Sequence, residues 1–389
     1  MAAGYEVVIF GSGLSGMISA LSFAQNKINV TIIEAKNTNS PQFTDDIRTT
    51  ALTNYSKSYL ESVGVWELIK DHIGPINDIY VVDNKEPEIL HFASSSLKEG
   101  EIMGYLIKNS EFKNLLLDAV KNNSYIKLID QVSYQKIDNN DDYCLVHLTN
   151  TKSIYQIKAD LLVVCDGYQS LAKKLFFTPK MEKYYGQHAL TFITSHQKSH
   201  EGTAVEHFMP SGPFAILPLP DKHQSSIVWT VKSAEAEALL ALDTDEFTYL
   251  VQKNFGPFLG EIKIVGKIAS FPLKAYETKK YFNKNIVLIA DTAHTIHPLA
   301  GQGLNQGIKD IEALVNSIMV HGISASALLN YQHLRQSDNN IMLTLTDTLN
   351  SVFSTPDKPL RKARQLGFQL IEKIPPLKKM IIKYAMGKR

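Results

Sequence analysis

The sequence predicts a mixed α/β protein in which a nucleotide-binding unit is assembled from separated stretches of chain around a second, mostly antiparallel β-sheet, with a helical tail at the C-terminus. Three observations carry this. The chain opens with strand, glycine-rich turn, helix and strand; its middle is a series of strand-like runs broken by Gly and Pro; and near residue 286 the apolar strand character of the opening returns.

In order, Tyr5 to Phe10 is rich in Val and Ile, Leu14 to Gln25 has helical composition, and Asn29 to Glu34 is β-branched and apolar, which makes a βαβ unit. Ser56 to Leu68 and Glu111 to Val120 space their apolar residues as helices do. Ile79 to Phe92 and Ile126 to Leu148 look like strands joined by polar turns such as Asn139, Asn140 and Asp141. Ala159 to Val164 is a continuous apolar run before Asp166 and Gly167, as suits a buried central strand. From about Met181 to Ala269 short strands with Gly and Pro turns dominate, with one helix near Ala234 to Leu242. Ile286 to Ala290 is again a strand, followed by a glycine-rich turn and a long helix from about Gly303 to Met319. The expected organisation is the first part of the nucleotide domain at 1–75, strands of the second domain at 76–103, a second nucleotide-domain part at 104–178, the second domain's β-sheet at 179–272, a third nucleotide-domain part at 273–350 and a basic helical tail at 351–389.

A chain of 389 residues with 44% hydrophobic composition buries large cores and lies outside the range of disordered polymers. Only Cys144 and Cys165 occur, both in strand-like runs, which argues against a disulfide framework or a cysteine metal site and points to a reducing compartment. The beginning of the chain lacks the features of a secretory signal. No segment approaches the roughly 20 consecutive apolar residues of a membrane-spanning helix. The formal net charge of +1 hides an asymmetry: Lys358 to Arg389 holds ten Lys or Arg against Glu372 alone, a tail of +9, so the preceding residues carry −8.

Gly11, Gly13 and Gly16 form G-x-G-x-x-G between the first strand and the first helix, and Glu34 ends the second strand. In that context the pattern is the dinucleotide fingerprint of a Rossmann-type fold. Glycine permits the tight turn and close backbone approach to a pyrophosphate, the amides of Leu14 and Ser15 open the helix N-terminus toward its charge, and Glu34 can accept hydrogen bonds from a ribose.

The fingerprint alone leaves NAD and FAD open. Two later segments resemble the flavin motifs of single-component hydroxylases of the p-hydroxybenzoate hydroxylase type: Ala290 to His294 with Pro298 to Asn305, and Asp160 to Ser170 centred on Asp166 and Gly167. Asp46, Arg48, Ala51, Leu52, the segment GPFAILPLP from Gly212 to Pro220, Trp229, Thr230 and the run HTIHPLAGQGLNQGIKD are similar to the ubiquinone-biosynthesis hydroxylase branch over nearly the full length. The resemblance implies FAD as cofactor and NAD(P)H as reductant. It implies that Asp291 meets the ribityl and pyrophosphate, that Arg48 and Asn109 lie against the cofactor, and that Asp166 and Gly167 act around their turn. Pro298, Gly301 and Gln302 would then lie near the flavin ring, with backbone amides of Gly301 to Gly303 facing it, and Gly303, Leu304 and Asn305 would contact the cofactor. The implied reaction is hydroxylation of a polyprenylated phenol, in which a flavin hydroperoxide delivers oxygen and the protein supplies positioning and water exclusion. No Ser-His-Asp or metal constellation is then needed. A small soluble phenol or aromatic acid as substrate, or a catalytically impaired flavoprotein subunit, stand as alternatives; Ala290 in place of the family's usual glycine is the hint for the last. Cys165 and Lys173 also depart from the pattern, standing where alanine and arginine are common.

His294 and His297 are spaced i, i+3, but no third ligand accompanies them, so no metal site is expected. Tyr184, Tyr185, His207, Phe208, Phe214 and Trp229 read as core before they read as a pocket. Leu377, Met380, Ile381 and Tyr384 share a helical face flanked by Lys378, Lys379, Lys383 and Lys388, the pattern of an interfacial basic helix or, equally, of a helix packed on its own domain with a solvated face, since Pro375 and Pro376 split the tail into two short pieces. With the lipid substrates of the family, this implies a membrane surface or other ubiquinone-biosynthesis proteins as partners, no nucleic acid, and a cytoplasmic protein peripheral to the inner membrane.

Overall fold

The computed structural model describes residues 4–83, 89–97, 101–150, 153–296, 301–353 and 358–387. One sheet is built from β1 (Glu6–Phe10), β2 (Asn29–Ile33), β8 (Ile126–Ile129), β12 (Leu161–Val164), β18 (Phe282–Asn283) and β19 (Ile286–Leu288), in the order β18-β19-β12-β1-β2-β8. It is parallel from β19 to β8, with Val7 opposite both Leu161 and Val30. Both faces of its middle are covered, so β12 and β19 and all of β1 after Glu6 are buried apolar runs without alternation. Helix α1 (Leu14–Gln25) is apolar almost all round and buried from Gly16 to Ala24, packed between α5 (Asn109–Lys121) and α9 (Gln302–His321). The neighbouring α10 (Ala325–Phe353) runs along α9.

An eight-stranded sheet faces this unit. Its order is β20-β17-β13-β16-β15-β14-β5-β6, from β5 (Asp78–Asp83), β6 (Ile89–Ala93), β13 (Pro179–His196), β14 (Thr203–Met209), β15 (Gly212–Pro218), β16 (Gln224–Lys232), β17 (Ile262–Thr278) and β20 (His294–Thr295). Only the β14–β5 pair is parallel. β13 and β17 are far longer than the short strands the sequence suggests. Their pairing shifts register between Tyr184 and His188 and between Thr191 and Ile193, and Gly186 and Gly266 take positive φ of 64° and 77°. Bulges of this kind break the alternation by which a long strand is read from sequence. Behind the sheet, α7 (Ser233–Leu240) and α8 (Thr244–Phe255) cover a second core containing Phe192, Phe214, Trp229 and Phe247.

Between the layers lies a small antiparallel sheet of β3 (Thr49–Leu52), β4 (Ile73–Ile76) and β7 (Gly104–Lys108), reached through α2 (Pro41–Thr44), α3 (Asn54–Ser62) and α4 (Val65–Ile69). Two hairpins, β9 (Ser133–Asn139), β10 (Cys144–Thr149) and β11 (Ile154–Ala159), and the short α6 (Leu171–Phe176) flank β12. The tail forms α11 (Lys358–Lys373) and α12 (Pro375–Ala385), divided at the prolines. Ile382 and Met386 pack against Ile76, Met103 and Ala204, while Met380 is 61% exposed beside exposed Lys379 and Lys383. Leu377 and Ile381 are half-buried, so the docked face is turned from the one the sequence suggests; the side chain of Tyr384 and all of Lys388 lie outside the described residues. Among the described residues no helix is long and apolar enough to cross a membrane.

Candidate flavin site

The turn after β1 is closed by glycines for two different reasons. A Cβ on Gly16 would stand 2.0 Å from the Gly11 carbonyl oxygen, and one on Gly11, whose φ is +92°, would stand 2.8 Å from Asp166 Cα; these positions are glycine so that chain segments can touch. A Cβ on Gly13 would meet nothing within 4 Å. Gly13 is the N-cap of α1, no side chain caps the helix, and no acidic residue lies in its first turn. The amides of Leu14, Ser15 and Gly16 therefore open onto free space with the positive end of the helix dipole behind them. Glu34 borders that space: its Oε2 accepts from Ser12 N at 2.9 Å and Ser12 Oγ at 2.6 Å, and its Oε1 from Lys36 N at 2.9 Å.

Two distant segments meet this turn. Asp166 follows β12, and its Oδ2 accepts from Tyr134 Oη at 2.9 Å, while Tyr134 stacks on Phe10 with centroids 4.1 Å apart. Gly167 N donates to Thr292 Oγ1 at 3.2 Å, tying the Asp-Gly turn to the segment after β19. There Ala290 adopts φ +52°, a conformation that favours glycine, and its Cβ sits 2.9 Å from where one on Gly307 would be. Gly307 in α9 thus makes room for the alanine methyl. Cys165 Sγ lies 3.2 Å from the Phe10 carbonyl oxygen, and burial pushes its thiol well up, as for an inert side chain.

The Asp291 segment is held from below by Asp310 of α9. This buried carboxylate accepts from Ala290 N (2.9 Å), His294 Nε2 (2.5 Å), Arg335 Nε (2.8 Å) and Asn339 Nδ2 (3.3 Å). Arg335 also reaches Asp338 Oδ2 at 2.6 Å and Gln306 Oε1 at 2.9 Å. Desolvation alone would raise the Asp310 carboxyl, but His294 and Arg335 outweigh it and hold it far below the usual carboxylate range. His294 is thereby an anchor for the loop; His297, with Pro298, lies outside the described residues. The Asp291 carboxylate, between these two anchors, has no hydrogen-bond partner among the described residues. It is reached by solvent yet ringed by protein, and desolvation raises its carboxyl against the pull of His294 and Arg48.

Opposite Asp291 stands Arg48, which clasps Asp46 through Nε (2.8 Å) and Nη2 (2.6 Å) and lies 5.1 Å above the Phe271 ring of β17. Asn109 supports it from within: its N donates to Arg48 O at 2.9 Å, its Oδ1 accepts from Thr50 Oγ1 at 2.7 Å, and its Nδ2 is 3.5 Å from Asp46 Oδ2. α9 starts at Gly301, with φ +62° and no side-chain cap. A Cβ on Gly303 would find only Asp291 Oδ1, at 4.0 Å. Gln302 and Leu304 are half-buried in the same first turn. Asn305 fastens that turn to β3, donating to Ala51 O at 2.7 Å and accepting from Thr53 N at 3.0 Å and Ser56 Oγ at 2.7 Å.

The glycine turn, the Asp-Gly turn, the Asp291 segment and the first turn of α9 thus border one cleft, with Arg48 on its far wall and two helix N-termini without side-chain caps opening into it. Residues 4–338 match the family described as FAD binding domain. The chain belongs to this family. The ubiquinone hydroxylase UbiL of Rhodospirillum rubrum is 32% identical to this flavoprotein over 389 residues, covering 98% of this chain and 89% of that one. The 3-demethoxyubiquinol 3-hydroxylase of Escherichia coli is 29% identical, covering 98% of each. In fold, the flavoprotein matches the p-nitrophenol 4-monooxygenase PnpA of Pseudomonas putida with a TM-score of 0.82 at 16% identity, over 99% of this chain and 100% of that one. It also matches Klebsiella pneumoniae HpxO complexed with FAD and uric acid, at 0.78 and 15% identity over 100% and 97%. FAD is the cofactor of the family, and the donors suit it: free amides and a Cβ-free approach for a pyrophosphate, and unpartnered Asp291 for hydroxyls.

Sequence reasoning passed over Asp310 and Arg335, which hold the motif without facing the cleft. Asp310 stands in the flavin-motif run, but an ion pair between two helices leaves no local pattern. Of the aromatic set, Phe208, Phe214 and Trp229 are buried, Tyr185 and His207 are half-buried, and Tyr184 is 66% exposed. Lys173 lies between the Tyr168 and Tyr276 rings at 4.2 and 3.9 Å, and burial pulls its amine down to about 8.

Proposed function

We propose that this flavoprotein is an FAD-dependent monooxygenase that hydroxylates the aromatic ring of a polyprenylated phenol in ubiquinone biosynthesis, taking its reducing equivalents from NAD(P)H. The observation that carries the reading is the convergence of the three motif segments on one cleft faced by the eight-stranded sheet, in a chain whose relatives are ubiquinone hydroxylases.

In this reading the amides of Gly13, Leu14, Ser15 and Gly16, shaped by Gly11, receive the pyrophosphate, and Glu34 receives the adenosine ribose. Asp291 takes the ribityl hydroxyls. Arg48, oriented by Asp46 and Asn109, adds positive charge on the opposite wall. Asp166 and Gly167 close the cleft where the reductant arrives. The first turn of α9, Gly301, Gln302, Gly303, Leu304 and Asn305, presents its free amides to the ring. Bound FAD supplies two-electron chemistry and activates dioxygen; the chain positions the phenol, excludes water and offers fixed dipoles. The exposed Lys379, Met380 and Lys383 of α12 meet an anionic membrane surface, from which a lipid-tailed phenol arrives.

The test is turnover with NADPH, dioxygen and a prenylated phenol. A product carrying one oxygen from labelled dioxygen supports the reading. A yellow protein that oxidises NADPH without hydroxylating the ring overturns it, and equal use of water-soluble phenols overturns the prenylated substrate. Deleting the gene in its host is expected to accumulate a quinone precursor lacking one hydroxyl.

A further inference from the structure

The sheet face that looks toward the cleft is arranged in rows across the strands. One row holds Ala204 and Ile79 and is closed by Ala51 of β3, Leu217 and Ile382. Ala51 also touches the start of α9, since a Cβ on Gly301 would lie 3.2 Å from its own. Another row holds Phe208, Pro213 and Asp83. Phe208 is stacked on Phe353 of α10 with centroids 3.8 Å apart, and Asp83 is clasped by Arg364 of α11 at 2.7 and 3.2 Å. Between these closed rows lies a third: Val81 of β5, Glu206 of β14, Ala215 of β15 and Val228 of β16, in direct register.

Glu206 is anomalous there. Its neighbours in the row are apolar, and among the described residues it has neither a hydrogen bond nor an ion pair. A buried carboxylate without a partner is strongly disfavoured in a structural role. Glu206 is half-buried: protein crowds it enough to desolvate the carboxyl while solvent still reaches it, as expected for a side chain at the edge of a cleft. Asp291 is likewise desolvated by protein yet reached by solvent. Successive same-face residues of a strand are about 7 Å apart, so Glu206 stands one row from Ala204, whose contact Ala51 adjoins the first turn of α9.

We infer that Glu206 is a catalytic residue of this site, the group that accepts a hydrogen bond from the phenol hydroxyl of the substrate and takes its proton during ring attack. The inference rests on the reading of the substrate as a phenol. The phenol O–H bond breaks, its electron pair stays on oxygen and enriches the ring carbon to be attacked, and the proton resides on a Glu206 carboxyl oxygen. When the ring regains aromaticity the C–H bond at the attacked carbon breaks and its proton leaves to solvent, its electron pair returns to the ring, and Glu206 gives its proton back to the phenol oxygen, so the proton exchange at Glu206 neither consumes nor supplies electrons. The carboxyl is suited to this exchange: desolvation raises it to about 7, near the operating pH at which a general base works best. Among the described residues, no other titratable group on this face of the surrounding strands competes. β15 offers Pro213, Ala215 and Leu217 on this face, β16 offers Ser226, Val228 and Thr230, and of the two acids of β5 Asp78 lies on the opposite face while Asp83, on this one, is paired with Arg364. From the helices the neighbours of these rows are Phe353, Arg364, Ile382 and Met386.

The test uses the FAD-loaded full chain and Glu206→Gln, with 2-prenylphenol and its methyl ether, 2-prenylanisole, as probes. Binding is read first, from perturbation of the flavin absorbance. The wild type is expected to prefer the phenol over the ether on the order of tenfold at pH 8, and Glu206→Gln to lose that preference while holding FAD as before. Turnover is read second. kcat/KM for 2-prenylphenol should rise with pH through a limb near 7 in the wild type. In Glu206→Gln it should be lower on the order of 100-fold and lack that limb, and Glu206→Asp should restore the limb in part. An unchanged phenol preference, or a variant with the wild-type pH profile, overturns the inference. If the wild type oxidises NADPH but never hydroxylates the probe, the substrate reading fails while the binding comparison still decides for or against Glu206.

Discussion

The two kinds of glycine in the first turn respond differently to change. Serine at position 13 is a good N-cap, so Gly13→Ser should leave the apoprotein's melting temperature unchanged or slightly raised. It should weaken FAD on the order of 10-fold or more, because the hydroxyl takes the amides and fills the approach. Flavin titration beside thermal melting of the apoprotein reads both. Gly16→Ala is expected to prevent folding, since its methyl would occupy the Gly11 carbonyl. Ala290 and Gly307 form a matched pair: Gly307→Ala should cost about 1–3 kcal/mol through overpacking, and adding Ala290→Gly should recover most of it, giving a coupling energy in a double-mutant cycle. Failure of the second substitution to rescue the first would show that their Cβ contact is not the cause. At Glu206 the sign of the pH effect is fixed by an acid raised from 4.5 to about 7. The unfolded chain ionises first, so the fold loses stability between those values and keeps the full penalty above them. Glu206→Leu should therefore melt higher than the wild type, with the gap widening to about 2–3 kcal/mol between pH 4.5 and 7.

At the scale of elements, the opening βαβ unit was legible because its hydrophobic runs, glycine spacing and terminal Glu34 all act locally. The helix α8 was not read, although Asp243 caps it by accepting from Glu246 N at 2.8 Å and Phe247, Val251 and Phe255 follow at helical spacing. That signal was present, and Asp243→Ala should cost about 1 kcal/mol in a melting experiment. The length of β13 and β17 was hidden by the bulges near Gly186 and opposite Gly266. The Asp310–Arg335 network was hidden by its nature, since its members come from a loop and two helices and none is unusual in its own neighbourhood. Asp310→Asn should destabilise the protein by about 3–5 kcal/mol, leaving Arg335 buried without its main anion. It should also weaken FAD by loosening the backbone on both sides of Asp291. In the wild type, the depressed Asp310 carboxyl contributes its stability above the ordinary carboxylate range and loses it as pH falls below.

At the scale of the molecule, the tail closes the sheet's cleft face with Ile382 and Met386 while turning Lys379, Met380 and Lys383 outward. Replacing both lysines by Gln should reduce binding to anionic vesicles on the order of 30-fold and leave zwitterionic vesicles unaffected, as counted in a sedimentation assay. The cleft itself is drawn from residues 11–34, 46–52, 166–167, 291–296 and 301–305, so its last wall is synthesised long after its first. A ribosome releases the fingerprint turn long before Asp291 and α9 exist to complete the enclosure, and β19 joins β12 only after some 120 intervening residues. Such distant closures are slow, and they leave hydrophobic strands waiting for partners. Flavin capture is therefore a late event in the life of each molecule: stalled nascent chains ending before residue 286 should retain no FAD, and chaperone demand should fall once α9 has emerged.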